Sequence, residues 1–330
     1  MLEGSWRNHV PRLDMSAAEI GTVTPLLLAS GAGALGYWKS RSQTKTIVEL
    51  RASYLRYAAQ AKRYERKLQE VIHRLKSVGI EPVLIKGYAI SRLYPETGLR
   101  PSGDIDLCIP VDAYQRANVA LRASKDDGFC VDLSHDEITK FDDRTFEDLY
   151  KHSEEIELDG TTIRVPRPED HLRILCLHFL KHGAWRPLWL CDIALLLETP
   201  DLEWGRCLPC NLKHKHWVLC TIGLAQQLLK AEIQSPLPDR QMIRSLPPWL
   251  VPAVLKQWCE PYAPHIPPIR FQLRRCLEAP SELFSDLARR WPNPIQATID
   301  MNGRFDSLPR LPFQIRSCLE RAKTVCFGRK

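Results

Sequence analysis

Two aspartates one residue apart, Asp104 and Asp106, stand in the run Pro101-Ser102-Gly103-Asp104-Ile105-Asp106-Leu107-Cys108-Ile109. On a β-strand, side chains alternate between faces, so both carboxylates share one face while Ile105 and Leu107 point into a core. Two like charges beside a buried strand repel each other and are costly to desolvate. A cation between them removes that cost, and hard divalent ions such as Mg²⁺ take carboxylate and phosphate oxygens. The pattern predicts a metal site that handles a nucleoside triphosphate. The bland alternative is a solvated Asp-Xaa-Asp at a strand end or turn.

The residues upstream favour the chemical reading. Val83, Leu84 and Ile85 form a short apolar run that predicts a buried strand, and it ends at Lys86-Gly87. Residues Tyr88 to Tyr94 then carry Ile90, Leu93 and Tyr94 at helical spacing. Strand, glycine and helix bring backbone close to a ligand and aim helix N–H groups at an anion. Lys86 adds a positive charge at the same corner.

Two-metal phosphoryl chemistry calls for a third carboxylate on the neighbouring strand, near enough to help deprotonate an acceptor. A helix is expected over Asp112 to Ala123, with Gly128 as breaker and Phe129-Cys130-Val131-Asp132-Leu133 as the next strand. Asp132 would face away from that strand's apolar residues, shortly before His135. Its competitor is the run His152 to Leu158, joined through Asp159-Gly160 to Thr161–Val165, a strong hairpin signal. Glu155 and Glu157 would share one face of that hairpin, as ligands or as a solvated surface.

With these motifs in place, the chain resembles the nucleotidyltransferase (DNA polymerase beta-like) superfamily. Its members carry a glycine at a strand-to-helix turn and Asp-Xaa-Asp on the next strand. The chain is most similar to the group termed uncharacterised nucleotidyltransferases. The likeness rests on Ile85-Lys86-Gly87-Tyr88-Ala89, on Tyr94-Pro95 and Leu99-Arg100-Pro101, and on Gly103-Asp104-Ile105-Asp106-Leu107. It continues through Pro168-Glu169-Asp170-His171-Leu172, Leu177-His178, Lys181-His182-Gly183, Trp189-Leu190-Cys191-Asp192-Ile193 and Arg290-Trp291-Pro292-Asn293-Pro294. The likeness spans residues 20 to 320 or so. It implies an α+β fold with a minimal mixed β-sheet flanked by helices, an N-terminal helical region and a C-terminal mainly helical domain. It further implies transfer of NMP from an NTP such as ATP to a hydroxyl acceptor, with release of pyrophosphate. Asp104, Asp106 and Asp132 would hold two Mg²⁺ (or Mn²⁺) ions, with Asp132 also acting as base. Lys86 and Gly87 would hold the triphosphate, and Arg100, Ser102 and Gly103 would lie against the nucleotide. One departure is Tyr88, which stands where the superfamily usually has a small residue touching the triphosphate; Lys86 would replace that contact.

The positioning elements can also be anticipated. Residues 16 to 78 read as helical, and Thr44 to Val78 carries an apolar stripe through Leu50, Tyr64, Leu68, Val71 and Leu75. Residues 1–79 are expected as the N-terminal helical region, 80–166 as the catalytic core and 167–330 as the C-terminal helical domain. In the last, helices are expected over Pro168 to His182, Pro187 to Leu197 and Leu212 to Lys230. His178 and His182 are four apart on one helix face. With Asp192 on the next helix they would contact base, ribose or acceptor, or else form a purely structural pair that Asp192 partners.

The bulk numbers set the frame. The chain has 330 residues, enough for two domains, and 44% hydrophobic residues, ordinary for a globular protein. No apolar stretch reaches the roughly 20 residues of a membrane span, and no signal peptide is evident, so a soluble cytoplasmic protein without membrane contact is expected. The 11 cysteines mostly sit in apolar runs and read as free buried thiols. Cys207, Cys210, His214 and His216 have a zinc-like spacing, but a helical run follows directly, which disfavours a shared metal. The net charge of +7 gathers in residues 268–330, with twelve Lys plus Arg against six Asp plus Glu. That tail would meet a polyanion such as RNA or the acidic face of its own catalytic core, or be a solvated surface, and the expected hydroxyl acceptor is an unidentified small molecule, peptide or RNA. Two rival readings are a catalytically inactive nucleotidyltransferase-fold binding protein and a toxin-like enzyme acting on RNA or tRNA ends.

Overall fold

The computed structural model describes residues 1–42, 47–122, 130–134, 143–237, 243, 245–259 and 291–327, the side chains of 322 and 324–327 excepted. Instead of one long helical stretch over 16–78, three helices open the chain: α1 (Ala17–Ala29), α2 (Gly33–Ser40) and α3 (Val48–Ser77). Ser16 and Glu19 cap α1 reciprocally, a capping box that satisfies two otherwise orphaned N–H groups. Gly31, at φ +75°, turns the chain between α1 and α2.

The sheet region follows as β1 (Val83–Leu84), α4 (Tyr88–Ser91), β2 (Ile105–Cys108), a 3₁₀ turn (Val111–Ala113), α5 (Tyr114–Leu121), β3 (Val131–Ser134), α6 (Phe146–Lys151), β4 (Glu154–Leu158) and β5 (Thr161–Val165). The helix expected over Tyr88 to Tyr94 is a single turn, and that expected over Asp112 to Ala123 begins as 3₁₀. Strand β3 begins two residues later and ends one residue later than expected; Ala123, Gly128, Phe129 and His135 fall outside the described residues. The strands form one mixed sheet in the order β3-β2-β1-β5-β4. Strand β2 runs antiparallel to β1 and parallel to β3, while β5 runs parallel to β1 and antiparallel to β4. Asp159 and Gly160 both take positive φ (44° and 82°), the hairpin turn their dipeptide foretells.

The chain then becomes helical: α7 (Pro168–Lys181), α8 (Pro187–Leu197), α9 (Trp204–Cys207), α10 (Leu212–Leu229), α11 (Leu250–Cys259), α12 (Pro294–Asp300) and α13 (Leu311–Phe327). The architecture is α+β. Helices α7 and α8 are buried almost all round, as expected of helices at the centre of a domain rather than on its surface. Strand alternation sorts the two sheet faces. Leu84, Ile105 and Leu107 pack with Tyr64, Leu68, Val71 and Leu75 of α3 and with Ala117 and Leu121 of α5. Val83, Ile85 and Cys108 pack with Ile174 of α7 and with Phe146 and Leu149 of α6. Asp106, between Ile105 and Leu107, therefore emerges on the α7 side. No disulfide joins the described cysteines. No described helix is long and apolar enough to cross a membrane.

Candidate active site

Asp104 immediately precedes β2, Asp106 lies within it, and Asp132 is the register partner of Asp106 on β3. Parallel pairing in this register puts all three carboxylates on one face, with ligand oxygens all within 4.8 Å of one another. The sheet order places β4 at the opposite edge. Glu155 there pairs with Arg164, and Glu157 accepts from Thr162, so neither joins the acidic trio. Among the described residues no other group of His, Cys, Asp and Glu comes together in this way, and Cys207 is buried while Cys210 is exposed. The zinc-like spacing of Cys207, Cys210, His214 and His216 is thus not a metal cluster; His214 bonds Asn302 instead.

Lys86 follows β1 and reaches across to Asp106, Nζ to Oδ1 at 2.6 Å, with both side chains mostly buried. Burial pushes the Asp106 carboxyl above the usual carboxylate range. The Lys86 ammonium pulls it back, and the charges of Asp104 and Asp132 add to the upward push.

Gly87 takes φ +64° and ψ −116°, backbone closed to ordinary L residues. A Cβ there would lie 2.3 Å from the Tyr64 hydroxyl oxygen and 3.3 Å from the Asp104 carbonyl oxygen. Tyr64 is buried, and its hydroxyl donates to the Asp104 carbonyl at 3.1 Å. One turn earlier on α3, Gln60 donates to the Ser102 carbonyl at 3.1 Å. These two side chains, four apart on one helix face, pin the loop that delivers Asp104. Sequence reading placed Tyr64 only in the apolar stripe, because nothing local marks a carbonyl 40 residues away. Tyr88 is not among the residues lining the cleft; its ring packs against the α3 side of the sheet. The bulky residue after Gly87 is thereby accommodated. Helix α4 is one turn long, so it contributes less to anion binding than a full helix N-terminus would.

The acids open into a cleft of about 220 Å³ lined by Lys86, Gly87, Gly103, Arg100 and the aspartates on one side. Leu175, His178, His182, Arg186 and Trp189, from α7, the turn after it and the first turn of α8, form the other wall. The His178 and His182 ring centroids lie 4.5 Å apart, and Trp189 sits 4.6 and 5.4 Å from them. Burial, then the charge of Lys86, drives His178 well below the ordinary imidazole range and His182 down to about 4. Both rings are neutral at neutral pH.

Asp192 lies behind the wall rather than in it. Its fully buried carboxylate accepts from Arg100 Nη2 at 2.9 Å and from the Tyr94 hydroxyl at 2.8 Å. It partners neither histidine. Arg100 also donates from Nη1 to the Pro101 carbonyl at 3.1 Å, so its guanidinium fixes the loop from Tyr94 to Gly103 against α8. The Ser102 hydroxyl oxygen is buried without a partner and is outside the cleft lining.

This combination, a mixed sheet edged by three aspartates and a lysine–glycine turn facing a helical wall, has the layout of a nucleotidyltransferase-like domain. Residues 37–230, well over half of the chain, match the family model described as "Uncharacterised nucleotidyltransferase". The protein belongs to that family. The matched span is narrower than the 20-to-320 likeness read from sequence, and it leaves out Arg290-Trp291-Pro292-Asn293-Pro294. Among solved structures, the chain is similar to an antigenic nucleotidyltransferase-like protein from Paracoccidioides brasiliensis. That similarity has 14% identity and a TM-score of 0.37, covering 52% of this chain and 95% of that one. No curated protein matches.

Proposed function

We propose that the protein is a divalent-metal-dependent nucleotidyltransferase that moves NMP from an NTP to an acceptor hydroxyl. The observation that carries this reading is the convergence of Asp104, Asp106 and Asp132, oxygens within 4.8 Å, beside the Lys86-Gly87 turn in one cleft. The donor set fits Mg²⁺ or Mn²⁺: it is all carboxylate oxygen, partly open to solvent, with room for phosphate and water as further ligands. Such ions, when bound, neutralise the triphosphate and polarise its α-phosphoryl group.

The chain's own residues supply the rest. Lys86, which contacts Asp106 here, offers its ammonium to the triphosphate. Gly87 lets the phosphates approach the backbone, and Gly103 leaves the facing loop without a side chain. Asp132 takes the proton of the acceptor hydroxyl. The acceptor oxygen attacks the α-phosphorus in line; a P–O bond forms, the α–β phosphoanhydride breaks, and pyrophosphate leaves with the bonding pair. His178 and His182, neutral, accept hydrogen bonds from base, ribose or acceptor. Arg100 and Asp192 act through positioning, holding the Pro101-to-Gly103 loop. The cleft is smaller than the roughly 300–1,000 Å³ typical of small-molecule sites, so it suits the phosphate end while base and acceptor extend outward.

The test is to incubate the purified protein with each labelled NTP and cell extract and to follow label transfer and pyrophosphate release. Asp104→Asn and Asp106→Asn should each abolish transfer and the binding of Mn²⁺. Full transfer by the double variant would remove the aspartates from the chemistry.

A further inference from the structure

Arg186 lines the same cleft as the aspartates, from the turn between α7 and α8. Lys86 has Asp106 as counter-ion, and Arg100 has Asp192. Arg186 has no carboxylate within ion-pair distance among the described residues. Its Nε donates to the Ser30 carbonyl at 2.8 Å, a neutral partner. Burial, followed by the charge of Arg100, lowers its pKa to about 10. A largely desolvated guanidinium without a counter-ion is expensive unless something anionic visits it.

The guanidinium is also held in place by the surrounding fold. A Cβ on Gly31 would fall 2.4 Å from Arg186 Nη2, so the α1–α2 turn lets the guanidinium pass only because residue 31 has no side chain. The rings of Trp185 and Trp189 lie 5.9 and 5.6 Å from its Cζ. The turn carbonyl holds Nε, Nη2 lies against Gly31, and two indoles flank the planar guanidinium, which is among the groups lining the cleft. A guanidinium suits the oxygens of phosphate and of carboxylate, and in a triphosphate-sized acidic-metal cleft the phosphate is the anion at hand.

We propose that Arg186 is a phosphate-binding residue of this cleft, its guanidinium taking an oxygen of the β- or γ-phosphoryl group of the triphosphate across from Lys86. It rests on the nucleotidyltransferase reading and deepens it. The negative charge that develops on departing pyrophosphate would fall beside Arg186, which favours bond breaking as well as binding. The N-terminal helices also gain a role, since Ser30 and Gly31 hold the fork in place.

The full chain is titrated calorimetrically with inorganic tripolyphosphate in the presence of Mg²⁺, and separately with Mn²⁺ alone by electron paramagnetic resonance. Arg186→Gln should weaken tripolyphosphate binding by about 10- to 100-fold, the usual weight of a charge-assisted contact. Mn²⁺ affinity should stay within about twofold, because the aspartates are untouched. Arg186→Lys, which keeps the charge and loses the fork, should fall between. Unchanged tripolyphosphate affinity in Arg186→Gln overturns the assignment and leaves the metal site standing. If Arg186→Gln does not fold, Arg186→Lys decides: wild-type affinity overturns the assignment, and a several-fold loss supports it. If the wild type binds neither tripolyphosphate nor Mn²⁺, the assignment falls together with the nucleotidyltransferase reading.

Discussion

Gly87→Ala isolates the geometry on which the site depends. At φ +64° and ψ −116°, a non-glycine residue costs about 1–3 kcal/mol in backbone strain. The new methyl would also sit 2.3 Å from the Tyr64 hydroxyl oxygen, and relieving that overlap costs about 1–3 kcal/mol more. The total, about 2–6 kcal/mol, is a large part of the 5–15 kcal/mol on the order of which domains are stable. Tyr64→Phe alone should cost about 0.5–1.5 kcal/mol, because the half-buried hydrogen bond to the Asp104 carbonyl is lost. In the double variant the overlap is gone, so the losses should fall short of additivity by about 1–3 kcal/mol. Urea unfolding of the four proteins gives the cycle directly. Strict additivity, or a Gly87→Ala protein as stable as wild type, would refute the contact between the turn and α3.

Two further expectations concern the walls of the cleft. Asp192→Ala should destabilise by about 3–5 kcal/mol, since it strands the buried Arg100 guanidinium. Arg100→Met with Asp192→Leu should recover much of that loss in denaturant titrations. If Asp192→Ala instead kept full stability and lost only ligand affinity, Asp192 would be a substrate contact after all. For His182 the folded-state pKa of about 4 lies below the ordinary 6.5. The fold therefore disfavours the protonated ring, and this contribution to stability is present above pH 6.5 and lost as pH falls from 6.5 towards 4. His182 lies at the solvent-exposed mouth of the cleft, so this contribution is screened and small; His182→Gln should flatten that part of the pH–stability profile slightly, and superimposable profiles would refute the lowered pKa.

The sequence was most legible where chemistry and periodicity coincide. Asp104 and Asp106 share a face because strand alternation is local, and Ile105 and Leu107 are fully buried opposite them. The Asp159-Gly160 hairpin and the cores of α7, α8 and α10 followed equally from local pattern. Element ends were less legible. The break at Gly31 and the one-turn α4 depend on what the segment packs against rather than on its own propensity. Arg186 and Gln60 carried no signal, as a basic and a polar residue in unremarkable runs, and Tyr64 was marked only as part of the apolar stripe of α3.

What the sequence determines by itself is the cast of the site: which residues can hold a cation, where the backbone needs a glycine, and which family the chain resembles. Those features are written in adjacent residues, whose relative directions are set by strand and turn geometry. Only the tertiary structure decides that Asp132 rather than Glu155 or Glu157 completes the acidic trio, because strand order is a property of the whole sheet. Only it decides that Asp192 serves Arg100 and that Arg186 has no counter-ion among the described residues. Contacts that side chains make with groups roughly ninety or more positions away come from packing free energy summed over the whole core, and no local pattern records it.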